Sequence, residues 1–148
     1  MISSRDFLTL AENWSRGRTE AEWRCAVSRA YYASFHECRQ FLQMLGFAVP
    51  RADLAHAFLW RRLENSGVAS LTSIGKDLGW LRSERNLADY DLHKTISQPT
   101  ALRAVAAAFA MLDALRQLNE NESRHATEAM KNYERDVLRE STWRTRPR

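Results

Sequence analysis

The chain has 148 residues, of which 45% are hydrophobic and 27% charged, and its formal net charge is +4. This length fits one compact domain, and five Trp, six Phe and four Tyr supply apolar surface that disordered chains lack. The sequence shows neither a signal-peptide pattern nor an apolar run of the roughly 20 residues that span a membrane. We therefore expect a cytoplasmic protein without membrane contact.

Helical spacing dominates the chain, and no strand-like alternation of useful length occurs. Apolar residues at three- and four-residue intervals predict a first helix from about Ser4 to Ser15. Thr19 and Glu22 then have the spacing of a capping box, which predicts the start of a second helix. This helix should run to Leu45 and end at Gly46, a residue suited to a left-handed helix cap.

The next two helices are separated by a loop rich in Gly and Ser. Pro50 precedes a third helix over residues 53–65. The loop, residues 66–70, leads to a fourth helix that should start near Ser73. Residues 89–97 are polar and are expected to end that helix.

Ser97 and Pro99 indicate the start of a fifth helix, since proline is tolerated in a first helical turn. That helix continues to Leu118. Residues 119–123 carry no apolar side chain, so they are either a joint or a solvated length of helix. Helical spacing then resumes, and residues 119–140 would extend the fifth helix or follow it.

The predicted architecture is a single domain over residues 1–140. It is an all-α, antiparallel bundle of five or six helices with a C-terminal helical extension. Residues 141–148 are basic and are expected to form a flexible tail. The extension carries an apolar stripe that a second protomer or a partner protein would cover, formed by Ala126, Met130, Tyr133 and Val137.

Two stretches carry the strongest functional signal. Residues 28–36 have the sequence S-R-A-Y-Y-A-S-F-H, and residues 85–91 have the sequence R-N-L-A-D-Y-D. Together they resemble the HEPN superfamily, in particular the small HEPN proteins often encoded beside minimal nucleotidyltransferases in prokaryotes. The resemblance spans roughly residues 23–118 and includes the order of the helices.

The resemblance implies a HEPN-type helical bundle that forms a homodimer. In many HEPN proteins the dimer is a metal-independent endoribonuclease, the toxin-like component of a toxin–antitoxin or defence system. The family's catalytic signature is an Arg, a polar residue directly after it, and a His separated from the Arg by four to six residues. Arg85 and Asn86 match this signature, whereas Tyr, Asp and Leu fill the His positions and His93 lies one residue too far along.

RNA cleavage through the 2′-hydroxyl requires a base, an acid and positive charge on the phosphate. Arg85 would supply a fork of donors for the phosphate, and Asn86 a hydrogen bond. His93 would supply the imidazole that acts as acid or base. A loop that starts at Asp89, or a partner protomer, would bring His93 to the arginine. His36 is the second candidate for the acid or base.

The same residues also have structural interpretations. Arg85 and Asp89 are four residues apart, so they can form an ion pair along one helix. Tyr90 beside them would pack or shape the site. Tyr32 and His36 share a helical face, so they would either join Arg85 in the site or fill the core.

Several classes of site are missing from the sequence. Cys25 and Cys38 form neither a disulfide framework nor a zinc motif, and no glycine-rich phosphate loop or hydrolase elbow occurs. We therefore expect no metal and no cofactor. The alternative function is a non-catalytic HEPN module that binds a nucleotidyltransferase-type antitoxin, another cognate protein or a nucleotide. In such a module Tyr90 would be structural or a target of modification.

Overall fold

A computed structural model describes residues 1–144, and this part of the chain is all-α, which confirms the predicted fold class. The α-helices are α1 (Ser4–Ser15), α2 (Glu20–Leu45), α3 (Leu54–Glu64), α4 (Ala69–Tyr90), α5 (Gln98–Arg116) and α6 (Glu120–Tyr133), and a π-helical turn follows (Glu134–Leu138). Within residues 1–144 the extended pairing is limited to an isolated bridge between Phe47 and Trp143. None of the helices over these residues combines the length and apolar character needed to cross a bilayer.

The chain divides into two compact units, each built from two separate stretches. The first unit comprises Met1–Glu37 and Asp77–Asp113. Among the described residues, the second comprises Cys38–Lys76 and residues 114–144. Helices α2, α4 and α5 each continue from one unit into the other, so no linker in the sequence marks this division.

The predicted bounds of the first two helices are confirmed. Helix α1 has the predicted bounds, and α2 ends at the predicted residue, Leu45. The Thr19 hydroxyl donates to the Glu22 carboxylate at 2.8 Å and accepts from the Glu22 amide at 3.3 Å. This side-chain cap satisfies backbone donors that the first turn of a helix leaves free. Gly46 has a φ of 114°, which the absence of a side chain permits.

Helix α4 begins at Ala69, four residues before the predicted start. Gly67 makes the preceding turn with a φ of 71°, and the Ser66 hydroxyl accepts from the Val68 amide at 3.3 Å. Val68 and Leu71 are buried, because an earlier helical start places both apolar side chains in the second unit's core. Because residues 66–70 are rich in glycine and serine, the sequence predicts a loop there, and the predicted start of the helix is therefore too late. The helix ends at Tyr90, inside the segment predicted to end it.

The segment after α5 is a joint between two helices. Helix α5 ends at Arg116, and Asn119 caps a new helix. The Asn119 side chain accepts from the Glu122 amide at 2.8 Å, while the Glu122 carboxylate accepts from the Asn119 amide at 3.3 Å. This reciprocal pair is a capping box. Residues 119–140 therefore do not continue the fifth helix.

Residues 141–144, which the sequence assigns to a flexible tail, are hydrogen-bonded within the second unit. The Thr142 amide and hydroxyl donate to the Glu134 carboxylate at 3.0 and 2.5 Å. The Trp143 indole donates to the Leu45 carbonyl at 3.0 Å, and the Arg144 amide donates to the Gly46 carbonyl at 2.8 Å. Residues 145–148 of the predicted tail lie outside the described residues.

The core of the first unit determines which side chains of α2 and α4 reach the surface. Its buried residues include Leu8, Ala11, Val27, Ala30, Tyr31, Leu81, Ala88, Ala104, Ala108, Met111 and Leu112. Tyr31 and Ala88 are buried, whereas Tyr32 and Asp89, which directly follow them, are not. Polar side chains of α2 and α4 are thereby placed at the edge of this core.

Candidate functional site

Arg85 lies near the end of α4, and oxygen atoms surround its guanidinium. Its Nε donates to the Asp89 carboxylate at 3.0 Å, and Nη1 donates to the Asn86 side-chain oxygen at 3.1 Å. Its Nη2 donates to the hydroxyls of Tyr32 at 2.5 Å and Tyr90 at 3.2 Å. The Arg85 side chain is 13% exposed, so the fork is sheltered but reaches the surface. One charged oxygen and three neutral oxygens therefore hold it.

Asp89 connects α4 to α2. Its Oδ2 accepts from Arg85 Nε at 3.0 Å and from the Ser28 hydroxyl of α2 at 3.1 Å. Arg85 and Asp89 are one helical turn apart, which is the spacing at which an ion pair forms on a helix. The predicted ion pair is thus present, and α2 shares its carboxylate.

Aromatic rings surround the Arg85 guanidinium. Its central carbon lies 5.1 Å from the ring centroids of Tyr32 and Tyr90 and 5.9 Å from that of Tyr31. At such distances the negative face of a ring attracts a cation. Tyr90 is 72% exposed, so one side of this environment faces outward.

A second arginine, Arg29 of α2, lies beside the same Tyr32 ring. Its guanidinium carbon is 5.1 Å from the Tyr32 centroid and 5.4 Å from the Phe7 centroid. Its hydrogen bond within residues 1–144 goes to the Ser28 hydroxyl at 3.3 Å. The His36 ring is stacked on Phe7 at 5.5 Å. Arg29, Tyr32, Phe7 and His36 thus form one half-buried patch of rings and charge.

Arg24 of α2 anchors the loop that follows α4. Its Nη1 donates to the carbonyls of Leu87 at 3.2 Å, Ala88 at 2.9 Å and Asp91 at 3.1 Å, and Nη2 donates to the Lys94 carbonyl. The last carbonyls of a helix lack partners within the helix, and a basic side chain can satisfy them. Arg24 therefore caps α4 from another helix.

Glu20 completes this anchor one helical turn before Arg24. Its carboxylate accepts from Arg24 Nη2 at 2.9 Å and from the Ile96 amide at 3.0 Å. The hydrogen bond from the Ile96 amide, and then the one from Arg24, lower the pKa of the Glu20 carboxyl below its ordinary value. The loop between α4 and α5 is thus held at both ends by one ion pair of α2.

The sequence-predicted site residues fall into two groups. Arg85 contacts Asn86, Tyr32, Asp89 and Tyr90 directly, so the structure brings these five together. The two candidate histidines lie elsewhere in the first unit and are not among the hydrogen-bond partners that the described residues give to this guanidinium.

The two histidines have different environments. His93 is exposed in the loop after α4, where its backbone amide donates to the Asp91 carboxylate at 3.1 Å. His36 is half-buried among rings, 6.3 Å from the Tyr32 centroid. Of the two, His93 is therefore the more exposed imidazole.

Arg24, Glu20 and Arg29 were not predicted as site residues. The spacing of Glu20 and Arg24 indicates an ion pair, but the carbonyls that Arg24 caps have no side-chain signature in the sequence. Arg29 and Tyr32 are three residues apart, so their proximity on one helical face was open to prediction.

Over residues 1–144, no group of three or more His, Cys, Asp and Glu side chains is placed to hold a metal ion. Comparison of the chain with protein-family models, with curated proteins and with solved structures gave no match. Membership of the HEPN superfamily therefore stays a prediction from the two sequence motifs. The chemistry of the site is inferred from its own residues.

Proposed function

We propose that this protein is a HEPN-type, metal-independent endoribonuclease that acts as a cytoplasmic homodimer. In this proposal it is the toxin-like component of a two-component prokaryotic system, and Arg85 binds the phosphate at which RNA is cleaved. One observation carries the proposal. The Asp89 carboxylate accepts a hydrogen bond from Nε of Arg85. The two terminal nitrogens of Arg85 donate instead to neutral oxygens at the protein surface, those of Asn86, Tyr32 and Tyr90.

Neutral oxygens are replaceable partners for a guanidinium. A hydrogen bond from a guanidinium to a phosphate joins two opposite charges, so it is stronger than a bond from the same guanidinium to a neutral hydroxyl. A phosphate that displaces the hydroxyls of Tyr32 and Tyr90 from Arg85 therefore gains more than those hydroxyls lose, since each can bond to water or to the phosphate instead. The planar fork suits two phosphate oxygens at once.

The proposed reaction uses a nucleophile that RNA itself contains. The 2′-oxygen attacks the adjacent phosphorus, and the bond from phosphorus to the 5′-oxygen breaks. The products are a 2′,3′-cyclic phosphate and a 5′-hydroxyl. A base removes the proton of the 2′-hydroxyl, and an acid protonates the departing 5′-oxygen. Arg85 stabilises the negative charge that develops on the phosphate oxygens.

Asn86 and His93 have supporting roles in this proposal. Asn86 is exposed beside Arg85, where its amide can donate to a phosphate oxygen. His93 is exposed on an anchored loop, so we propose that it acts as acid or base at Arg85 of a second protomer. His36 is the alternative acid or base within the same protomer.

The test is cleavage of a single-stranded RNA oligomer by the purified protein in EDTA. We expect cleavage to persist in EDTA and to leave 5′-hydroxyl ends, which a polynucleotide kinase labels directly. Arg85→Ala should reduce the rate about 100- to 1000-fold, the usual effect of removing one donor that stabilises transition-state charge. Circular dichroism would establish that the variant is folded.

Arg61→Ala is the matched control, because Arg61 is an exposed arginine of the second unit that also lies over a ring, that of Trp60 at 5.4 Å. It should leave cleavage unchanged. Wild-type protein that does not cleave RNA, or a folded Arg85→Ala variant that cleaves at the wild-type rate, would contradict the proposal.

A second candidate function is a non-catalytic module that binds a nucleotidyltransferase or a nucleotide. It is favoured by the direct contact of Arg85 with a carboxylate and by the lack of a histidine among the Arg85 hydrogen bonds that residues 1–144 provide. For this function we expect no RNA turnover, together with binding of a nucleotide, or co-purification with the protein encoded next to it. Cleavage that depends on Arg85 would exclude this candidate.

A further inference from the structure

We infer that Arg29 makes a second phosphate contact for single-stranded RNA, one nucleotide or more away from the phosphate held by Arg85. The aromatic rings around Arg29, those of Phe7, Tyr32 and His36, would contact the adjacent base. This inference deepens the proposed function and rests on it for the identity of the ligand. It assigns a binding role to an arginine of the residue 28–36 motif that is not part of the catalytic signature and forms none of the ion pairs described above.

The two guanidinium groups share one ring. The central carbons of Arg29 and Arg85 each lie 5.1 Å from the Tyr32 centroid, so the two charges are at most about 10 Å apart. Successive phosphates of one strand are nearer to each other than that limit. A short segment of RNA can therefore contact both arginines without a change in the backbone of α2.

The charges of the two arginines are balanced differently. Arg85 is paired with Asp89, whereas Arg29 has no carboxylate within 4.0 Å among residues 1–144. Its single hydrogen bond there goes to the neutral Ser28 hydroxyl at 3.3 Å. The same hydroxyl donates to Asp89, so the nearest carboxylate known for Arg29 is one hydroxyl away. A half-exposed guanidinium without a direct ion pair is available to a phosphate.

The surroundings of Arg29 match the requirements of a single strand. Proteins that bind single strands combine cationic groups that follow the backbone with aromatic rings on which bases stack. Phe7, Tyr32 and His36 supply such rings, and all three are half-buried. Packing of Arg29 against Phe7 and Tyr32 alone would give the same distances without any ligand, so the decisive readout is a salt dependence.

The experiment measures binding of a fluorescein-labelled oligomer of twelve uridines over a range of KCl concentrations. A 2′-O-methyl group on each ribose blocks cleavage, because the 2′-oxygen can no longer lose a proton and attack, and it keeps every phosphate. The plot of log affinity against log salt concentration has a slope of about −0.7 for each phosphate contact to a single strand. We expect Arg29→Ala to reduce the magnitude of the slope by about 0.7 and to weaken binding about fourfold at 0.15 M salt.

Three variants separate a phosphate contact from a packing role. Arg29→Lys keeps the charge and should retain the wild-type slope. Arg29→Met keeps much of the apolar packing and should show the reduced slope. Arg61→Ala removes an arginine of the second unit that lies over Trp60 and should leave the slope unchanged.

The outcomes distinguish this inference from the proposed function. If Arg29→Ala binds with the wild-type slope while Arg85→Ala abolishes cleavage, the Arg29 contact is overturned and the ribonuclease stands. If the slope falls but the wild-type protein does not cleave RNA, the contact stands and the enzyme is overturned. If AMP competes as well as the oligomer at equal nucleotide concentration, the site holds one nucleotide and the second contact is overturned. Failure to bind the oligomer overturns both.

Discussion

Arg62 in the second unit and Arg85 in the first both lie among carboxylates and aromatic rings, but their partners differ in charge and exposure. Arg62 is 1% exposed, and its Nε and Nη2 donate to the Glu134 carboxylate at 2.9 and 2.7 Å. Its Nη2 also donates to Glu140 at 2.7 Å, and its central carbon lies 3.4 Å from the Phe58 centroid. The buried Arg62 guanidinium thus donates hydrogen bonds to two carboxylates.

Arg85 has one carboxylate, one amide oxygen and two phenolic hydroxyls, and its side chain reaches the surface. A ligand phosphate would have to displace buried charge at Arg62 but only neutral groups at Arg85. The cleft of about 350 Å³ beside Arg62 is lined mainly by apolar side chains such as Leu54 and Leu138. Because of this difference in the charge and burial of their partners, we interpret Arg62 as a structural residue and Arg85 as the arginine that binds a phosphate.

The largest effect that follows from this comparison is on stability. Arg62→Ala would leave the Glu134 carboxylate buried, with Thr142 as its remaining partner. Removal of one partner from a buried ion pair costs about 3–5 kcal/mol, because the charge that stays behind is uncompensated. Urea unfolding followed by tryptophan fluorescence would measure this loss.

Arg85→Ala and Arg61→Ala are the references for that measurement. Arg85→Ala removes a pair near the surface, for which a loss of about 1 kcal/mol or less is expected. Arg61 is exposed on the same helix as Arg62, and its replacement should cost about 0.5 kcal/mol or less. Equal losses for Arg62→Ala and Arg85→Ala would remove the distinction between the two clusters.

The next effect concerns the loop between α4 and α5. Arg24→Ala should raise the population of open loop, since hydrogen bonds from a charged group contribute about 1.5–3 kcal/mol. The chain has three lysines, and Lys94 is the one that lies in this loop, while Lys76 and Lys131 lie in helices. Cleavage after Lys94 by a lysine-specific protease should therefore become at least about tenfold faster.

A matched variant controls for the general effect of removing an ion pair from a helix of the first unit. Arg16 pairs with Glu12 at 2.8 Å, at the same spacing as Arg24 and Glu20, and is 71% exposed. Arg16→Ala should leave cleavage after Lys94 at the wild-type rate. An Arg24→Ala protein that is cleaved no faster than this control would show that the loop is held by other contacts.

The sequence predicts the parts of the fold that local chemistry controls. Helix α2 begins at a Thr19–Glu22 capping box and ends at Gly46, and both devices act within a few residues. The start of α4 escaped prediction because it depends on the burial of Val68 and Leu71, which is a tertiary effect. Propensity alone assigns Gly and Ser to a loop in that segment.

The candidate site also has contacts that follow from local spacing and contacts that depend on the tertiary fold. Arg85 and Asp89 lie one helical turn apart, so their pairing follows from spacing. The contact of Arg85 with Tyr32 joins residues 53 positions apart, and the family resemblance is what placed them in one site. The Arg24 caps bond to backbone carbonyls, which every residue has, so no side-chain pattern identifies them.

A smaller effect is expected when the charge that competes for Arg85 is removed. Asp89→Asn keeps the size of the side chain and can still accept from the Ser28 hydroxyl, but it frees Arg85 from its counter-charge. RNA should bind more tightly by about 0.5–1 kcal/mol, or about two- to fivefold, in the same uridine-oligomer assay. Unchanged or weaker binding by a folded Asp89→Asn protein would mean that the carboxylate positions the fork instead of blocking it.

The smallest effect is a pH dependence of the loop anchor. The folded-state pKa of Glu20 is lowered, first by the Ile96 amide and then by Arg24, so its contribution is complete above the ordinary glutamate pKa. That contribution is lost as the pH falls through the lowered folded-state pKa, when protonation weakens both hydrogen bonds. Amide exchange at Ile96, corrected for its intrinsic pH dependence, should show constant protection above the ordinary glutamate pKa and decreasing protection as the pH falls below it.

Glu20→Gln is the control for this measurement, because its side chain has no charge to lose as the pH falls. Its Ile96 protection should start lower than in the wild type and show no such decrease. Parallel pH profiles in the two proteins would show that a group other than Glu20 causes the loss of protection at Ile96. Since Arg24 would keep its bonds to the α4 carbonyls when Glu20 is protonated, the end of α4 should stay protected after Ile96 has become exposed.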